Sequence, residues 1–265
     1  MNVIEAVILG VVQGITEFLP VSSSGHLVLT QKILGVSEPT LLFDTMLHLG
    51  TLVAVFIVLR KDIWALLKKP FQRLTWLLIA ATVPTVIIAL LFKDVIETAF
   101  HSGSTLGWEF LVTAVILLAA EKLASGAGKG RGEEEMSWLD AIIIGTLQGI
   151  AIMPAVSRSG LTIAGALARK LDRAFAARFS FLLSIPAILG AVVFQGKDLL
   201  EGTASGGGLS TAVVVGTIVA AAVGVVAVKF TMKVIREGSM RGFAAYVGVL
   251  GILVLLDQHL FHLFF

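Results

Sequence analysis

Apolar residues run almost unbroken for about twenty positions six times along the chain, at 43–60, 74–92, 108–124, 178–196, 211–232 and 243–262. That is the length a helix needs to cross a hydrocarbon core of about 30 Å. Two further stretches, 3–34 and 138–168, are equally apolar but are broken in the middle by PVSSSGH (20–26) and PAVSRSG (154–160). Half of either stretch is about 16 residues, or about 24 Å of helix, too short to span. Each therefore predicts two half-helices joined by a turn, a re-entrant hairpin. Irregular backbone is tolerated at membrane depth only where protein buries it or a wet cavity lines it, so the two turns predict a cavity. The expected fold is an all-α polytopic membrane protein with six transmembrane helices and two re-entrant helix hairpins.

Composition agrees with this pattern. Of 265 residues, 57% are hydrophobic and 14% charged, with a mean hydropathy of +0.95; a soluble domain carries about 25% charged residues. So few charges cannot clothe a water-facing globule, and the apolar surface must meet lipid. The net charge of only +2 leaves no basic stripe for nucleic acid. The absence of cysteine removes disulfides, thiolate nucleophiles and Cys-ligated metals. The start of the chain carries Glu5 and no basic residue before its apolar run, unlike a cleavable signal peptide. It reads as mature structure.

Charge also predicts sidedness. The 60–73 connection holds Arg60, Lys61, Lys68, Lys69 and Arg73; 169–178 holds Arg169, Lys170, Arg173 and Arg178; 229–241 holds Lys229, Lys233, Arg236 and Arg241. The positive-inside bias puts these three in the cytoplasm. The connections with Lys93, Asp94 and Glu97, and with Lys197, Asp198 and Glu201, carry more acid than base and are expected outside. Every assignment agrees if 3–34 dips in from outside and 138–168 from the cytoplasm. SGAGKGRGEEE (125–135) is expected to be a flexible cytoplasmic linker.

Shifting the chain by 135 positions lays 6–25 over 141–160 without a gap, and ten of the twenty pairs are identical, among them Gln13/Gln148, Gly14/Gly149, Ser22/Ser157, Ser24/Ser159 and Gly25/Gly160. With one more residue of offset, Phe43, Leu47, Lys61 and Asp62 fall on Phe179, Leu183, Lys197 and Asp198. The expected organisation is a first repeat at 1–124, a linker at 125–137 and a second repeat at 138–265. Each half is one hairpin plus three spans, and an odd number of crossings inverts the second. Broken helices in inverted-topology repeats meet near the midplane in transporter-like folds. The two turns should form one site.

The halves differ where chemistry would sit. Glu17 faces Ile152, Ser23 faces Arg158 and His26 faces Leu161 at the shared offset. One turn thus brings carboxylate, hydroxyls and imidazole, the other a guanidinium. Gln13 and Glu17, four apart, share a helical face. The SSSG and SRSG turns lead into helix N-termini, which bind anions, and Arg158 suits phosphate oxygens. Ser22, Ser24, Gly25, Ser157, Ser159 and Gly160 join Arg158 as candidate phosphate contacts; Glu17 and His26 are candidate acid/base groups and Ser23 the candidate nucleophile. Packing is the competing explanation for Ser and Gly in membrane helices, and a structural ion pair the competing explanation for Glu17 and Arg158. Yet a Glu or Arg at bilayer depth costs at least about 2.5–3.5 kcal/mol and needs a reason. Asp44 and His48, four apart, are read as a polar pair packed between helices, with reach into the cavity as the alternative. Asp257, His259 and His262 are read as interfacial anchors.

QGITEFLPVSSSGH (13–26), AVSRSG (155–160), FDTMLHLGT (43–51) and FSFLLSIP (179–186) resemble the signatures of the undecaprenyl-diphosphate phosphatase family of the bacitracin-resistance type. The resemblance implies a multi-pass protein of the bacterial cytoplasmic membrane. Its activity would remove the terminal phosphate of undecaprenyl diphosphate and return the lipid carrier for peptidoglycan synthesis. It further implies a divalent cation, Mg²⁺ or Ca²⁺, with Glu17 and Gln13 as the metal-side residues; Gln13 stands where some members carry Glu and brings no charge. A homodimer and a cleft open to the outer side are implied as well. His26 or water as nucleophile stays open beside Ser23. A transporter or flippase of phosphate or polyprenyl-phosphate lipid, using the same site, stays open as a second class.

Overall fold

The computed structural model describes residues 1–36, 41–124, 130–200 and 210–265, with the side chains of 41, 97, 101 and 194–200 excepted. Both interrupted stretches are helix pairs. The first is α1 (Val3–Thr16) and α2 (Ser23–Ile33). It is followed by α3 (Leu41–Val58), α4 (Arg60–Lys68), α5 (Arg73–Leu91), α6 (Lys93–Ser102) and α7 (Leu106–Ala124). The second pair is α8 (Trp138–Ile150) and α9 (Arg158–Ala168). After it come α10 (Arg173–Leu200), α11 (Thr211–Glu237) and α12 (Arg241–Leu256). The protein is an all-helical polytopic membrane protein: α5, α10, α11 and α12 are long and apolar enough to cross a bilayer, and α3 with α4 forms a pair bent by 79°. Helix α7 coincides with the remaining expected span but carries Glu109, Glu121 and Lys122.

Local chemistry starts both hairpins alike. The Asn2 side chain accepts from the Glu5 N–H at 2.9 Å while Glu5 accepts from the Asn2 N–H at 2.8 Å. Ser137 and Asp140 repeat this capping box at 3.2 and 2.8 Å, 135 residues on, and each box satisfies two orphan helix donors. Packing corresponds too. Helix α1 lies against α11, and α8 against α5. A Cβ on Gly10 would come within 2.6 Å of the Gly216 carbonyl, and one on Gly145 would collide with that of Ala81. Only glycine lets these helices approach so closely. The pairs Phe43/Phe179 and Leu47/Leu183 are fully buried.

The basic connections gather at one end of the bundle. Arg178 pairs with Asp62 at 2.8 Å and with Glu133 at 3.3 Å, Arg173 with Glu121 at 2.7 Å, and Asp140 lies between Arg131 at 3.0 Å and Arg169 at 2.6 Å. The other end joins the α2 terminus, the turn after α6 and the end of the chain: Lys32 lies 4.4 Å over the Phe265 ring, and Gln258 donates to the Gly103 carbonyl at 2.8 Å. Thus α9 finishes at the basic end and α2 at the opposite one.

Two expectations are corrected. Residues 125–129 lie outside the described residues, but 130–135 is a docked segment rather than a flexible linker. Arg131 exchanges backbone hydrogen bonds with 170–172, accepting from Asp172 N–H at 2.8 Å and donating to the Lys170 carbonyl at 2.9 Å. Its guanidinium also fixes Asp140, a buried charge that needs partners. Asp257 is no interfacial anchor: it is buried and accepts the N–H groups of Leu263, Phe264 and Phe265 at 2.9, 3.1 and 3.2 Å. His259 and His262 are exposed. The side chains of Glu97, Lys197 and Asp198, and Glu201 itself, lie outside the described residues.

Candidate active site

Helices α2 and α9 begin at the two turns, and their first residues, Ser23 and Arg158, sit at equivalent places. Both N-caps are serines. Ser22 Oγ accepts from the Gly25 N–H at 3.4 Å, and Ser157 Oγ from the Gly160 N–H at 3.0 Å. The turns hold each other reciprocally: Ser24 Oγ donates to the Pro154 carbonyl, and Ser159 Oγ to the Leu19 carbonyl at 2.8 Å. These donors and acceptors correspond at the 135-residue offset. Ser22 Oγ adds a bond to the Pro154 carbonyl at 3.0 Å. The hydroxyls of Ser22, Ser24 and Ser159, expected as phosphate contacts, thus have protein acceptors.

Glu17 lies between the turns and is buried. Its Oε2 accepts from Ser23 Oγ at 2.6 Å and from Gln13 Nε2 at 2.9 Å, and its Oε1 accepts from Arg158 Nη2. The i, i+4 spacing of Gln13 and Glu17 delivers the first support, and the end of α1 places the carboxylate at the gap. Arg158 Nη1 is buried and has no partner among the described residues. Two helix N-termini, each equivalent to about half a positive charge, converge on this point. The C-terminal end of α1 beside Glu17 offsets part of this, and the unpartnered guanidinium N–H is what offers an anion its place. Ser22 adds backbone strain at the first turn only, with φ +70° against −71° at Ser157, a non-glycine geometry of the sort found at functional sites.

His26, expected beside Glu17, faces another way. Its Nδ1 is 2.6 Å from the Ser22 carbonyl and its Nε2 2.8 Å from the Tyr246 hydroxyl. A carbonyl only accepts, so Nδ1 carries the proton, and in the neutral ring Nε2 accepts from the tyrosine O–H. Tyr246 stacks on the imidazole at 5.6 Å and Phe110 meets it edge-on at 5.4 Å. Instead, the imidazole nearest the carboxylate is His48, with Nε2 3.8 Å from Glu17 Oε2. Its Nδ1 donates to the Asp44 backbone carbonyl at 2.8 Å, while the Asp44 carboxylate accepts from Gln31 at 3.0 Å. Asp44 and His48 stay close enough to interact, but among the described residues their side chains hydrogen-bond other groups, and His48 also reaches the site.

Two supports escaped the sequence reading. Glu109 on α7 is buried and accepts the Ala155 N–H at 2.7 Å, while Thr113 accepts the Ser157 N–H and donates to the Ala155 carbonyl, both at 3.2 Å. Together they brace the turn that leads into Arg158. The signal was an acidic residue inside an apolar span, which always requires a reason. Tyr246 offered none, since aromatic residues are ordinary in membrane helices.

The donor set fits a hard cation in part. Gln13 Oε1 is a buried oxygen without a partner beside the Glu17 carboxylate, and Mg²⁺ and Ca²⁺ take oxygen ligands. No group of three or more His, Asp or Glu side chains capable of holding a metal occurs among the described residues. Substrate oxygens would have to complete such a site.

Known proteins resemble this chain along nearly its whole length. An undecaprenyl-diphosphatase from Carboxydothermus hydrogenoformans is 53% identical over 259 residues, spanning 97% of this chain and 98% of that protein. Undecaprenyl-diphosphatase 3 from Bacillus cereus is 49% identical over 258 residues, spanning 97% and 98%. An undecaprenyl-diphosphatase from Methanosphaera stadtmanae is 41% identical over 278 residues, with the same shares. The family described as "Bacitracin resistance protein BacA" matches residues 6–253, nearly the whole chain and both turns, and the protein belongs to that family.

Proposed function

We propose that the protein is an integral membrane phosphatase that hydrolyses undecaprenyl diphosphate to undecaprenyl phosphate and phosphate, returning the carrier for peptidoglycan synthesis. One observation carries the reading: a single buried carboxylate holds a serine hydroxyl on one oxygen and an arginine on the other, and that arginine keeps an unpartnered N–H. A nucleophile, a proton acceptor and a phosphate clamp then share one gap. Positioning and charge stabilisation are what phosphoryl transfer requires.

In this reading Arg158 Nη1 and the N-terminus of α9 hold the terminal phosphate. Ser23 Oγ attacks the phosphorus as its proton passes to Glu17 Oε2. The bond from phosphorus to the bridging oxygen breaks, and undecaprenyl phosphate leaves with that oxygen and with the proton from Glu17, which is a carboxylate again. Water, giving a proton to Glu17, then attacks the phosphoserine; the P–O bond to Ser23 breaks and the serine recovers its proton. His48 lies close enough to steady the charge on Glu17, and His26, fixed by Ser22 and Tyr246, shapes the wall. A divalent cation held by Gln13, Glu17 and substrate oxygens would neutralise phosphate charge.

The same reading covers the architecture. The matching capping boxes, glycine contacts and reciprocal serine bonds support two inverted repeats, 1–124 and 138–265, each with one re-entrant hairpin and three of six spans. The clustering of basic connections supports a cytoplasmic-membrane protein with that end inside. The first turn is then reached from the outer side. A homodimer rests on the family resemblance alone, and light scattering in detergent tests it.

The decisive experiment is phosphate release from undecaprenyl diphosphate by purified protein in detergent, with and without Mg²⁺ or Ca²⁺, beside Arg158→Ala and Glu17→Ala. Release that needs both residues is expected. No release by folded wild type with any cation overturns the reading.

A further inference from the structure

The elbow between α3 and α4 carries more positive than negative charge, and its excess cations have no ion-pair partner among the described residues. A cleft of ≈ 330 Å³ there is lined by Ile57, Val58, Arg60, Lys61, Asp62 and Lys229. Asp62 is committed to Arg178 at 2.8 Å. Arg60, Lys61 and Lys229 have no ion pair or side-chain hydrogen bond among the described residues. The first two come from the start of α4 and the third from α11, so the fold rather than a run of sequence brings them together.

The surroundings are those of a membrane rim. Helix α4 turns 79° from α3 and buries none of its residues. Trp64 and Leu67 of α4 and Phe71 in the turn after it are 60%, 67% and 81% exposed, while Ile63 and Leu66 pack against the core. Exposed tryptophan beside lysine, with Lys68 5.3 Å over the Trp64 ring, is the pattern of the membrane–water interface. Above the elbow, Val53, Phe56 and Ile57 of α3 are exposed and continue the apolar wall of the cleft along the direction an acyl chain would take.

We propose that this elbow binds the phosphate of an anionic phospholipid from the surrounding bilayer, separately from the gap at Glu17. Charge complementarity selects the headgroup: three unpaired cations face one cleft, and basic pockets between transmembrane helices take anionic headgroups. The apolar wall selects a lipid over a free anion. Bound there, the lipid bridges α4 to α11, the helix on which α1 rests.

The test is native mass spectrometry of detergent-purified protein offered equal amounts of phosphatidylglycerol and phosphatidylcholine. Wild type is expected to retain phosphatidylglycerol preferentially, and Arg60→Gln/Lys61→Gln/Lys229→Gln to bind it about 5-fold more weakly for each cation removed. Phosphate release in detergent should stay at the wild-type level, which also shows that the variant has folded. If the triple variant does not fold, Lys229→Gln alone is read in the same way. Equal retention of phosphatidylcholine, undiminished binding by the variants, or displacement of the lipid by inorganic phosphate or polyprenyl phosphate at equal concentration overturns the proposal.

Discussion

Ser23 Oγ lies 2.6 Å from Glu17 Oε2, although one begins α2 and the other ends α1, with a turn between them. A hydroxyl already donating to a buried carboxylate has its proton acceptor in place. Ser23→Ala is expected to lower phosphate release at least about 100-fold with little change in KM. Steady-state kinetics in detergent measure this, and retained turnover would transfer the attack to water.

Glu17 and Arg158 belong to opposite turns, and neither is satisfied without the other. Replacing one alone with Gln leaves a buried charge and should cost about 3–5 kcal/mol of stability, whereas Glu17→Gln with Arg158→Gln should recover much of it. All three variants should lack activity. Thermal unfolding in detergent, read beside phosphate release, separates the two effects. Recovered activity in the double variant would make the pair merely structural.

Among the described residues the Glu109 side chain hydrogen-bonds only to a backbone N–H, so what matters is its capacity to accept a hydrogen bond rather than its charge. Glu109→Leu orphans the buried Ala155 N–H and should cost about 1–3 kcal/mol as well as turnover. Glu109→Gln keeps an acceptor and should restore both. Equal loss in the two variants would mean that the carboxylate itself takes part in the chemistry.

The two hairpins end in different clusters, α2 beside Phe265 and α9 beside Asp140. The chain has no native cysteine, so Ile33→Cys and Ala168→Cys can each be labelled without background. In intact cells a membrane-impermeant maleimide is expected to modify residue 33 and to spare residue 168 until the membrane is opened. Labelling of both from one side would refute entry from opposite faces.

Periodicity and length made the elements legible in the sequence, because a bilayer imposes one rule on every spanning segment. Breaks at 20–26 and 154–160 were legible because half of each stretch is too short to span, although the helices already restart at Ser23 and Arg158 and the breaks fall at 17–22 and 151–157. Their shared Ser-x-Ser-Gly pattern identified the two turns as counterparts, Glu17 and Arg158 stood out because charge at membrane depth is costly, and Ser23 because it stands opposite Arg158 at the shared offset. Spacing along one helix, however, cannot say which way a ring turns. His26 follows Ser23 by one helical turn, yet its imidazole is held by Tyr246 from α12, while His48 from α3 approaches Glu17. Nor can composition tell a loose linker from a docked one, since Gly130 and Arg131 lie against 170–172 through backbone bonds that carry no side-chain signature. The sequence by itself determined the helices, their breaks and the chemical groups offered, for these follow from local hydropathy and capping. The tertiary structure alone decided which groups meet, because the decisive contacts join separate helices brought together by packing, Arg158 to Glu17 across 141 residues and His26 to Tyr246 across 220.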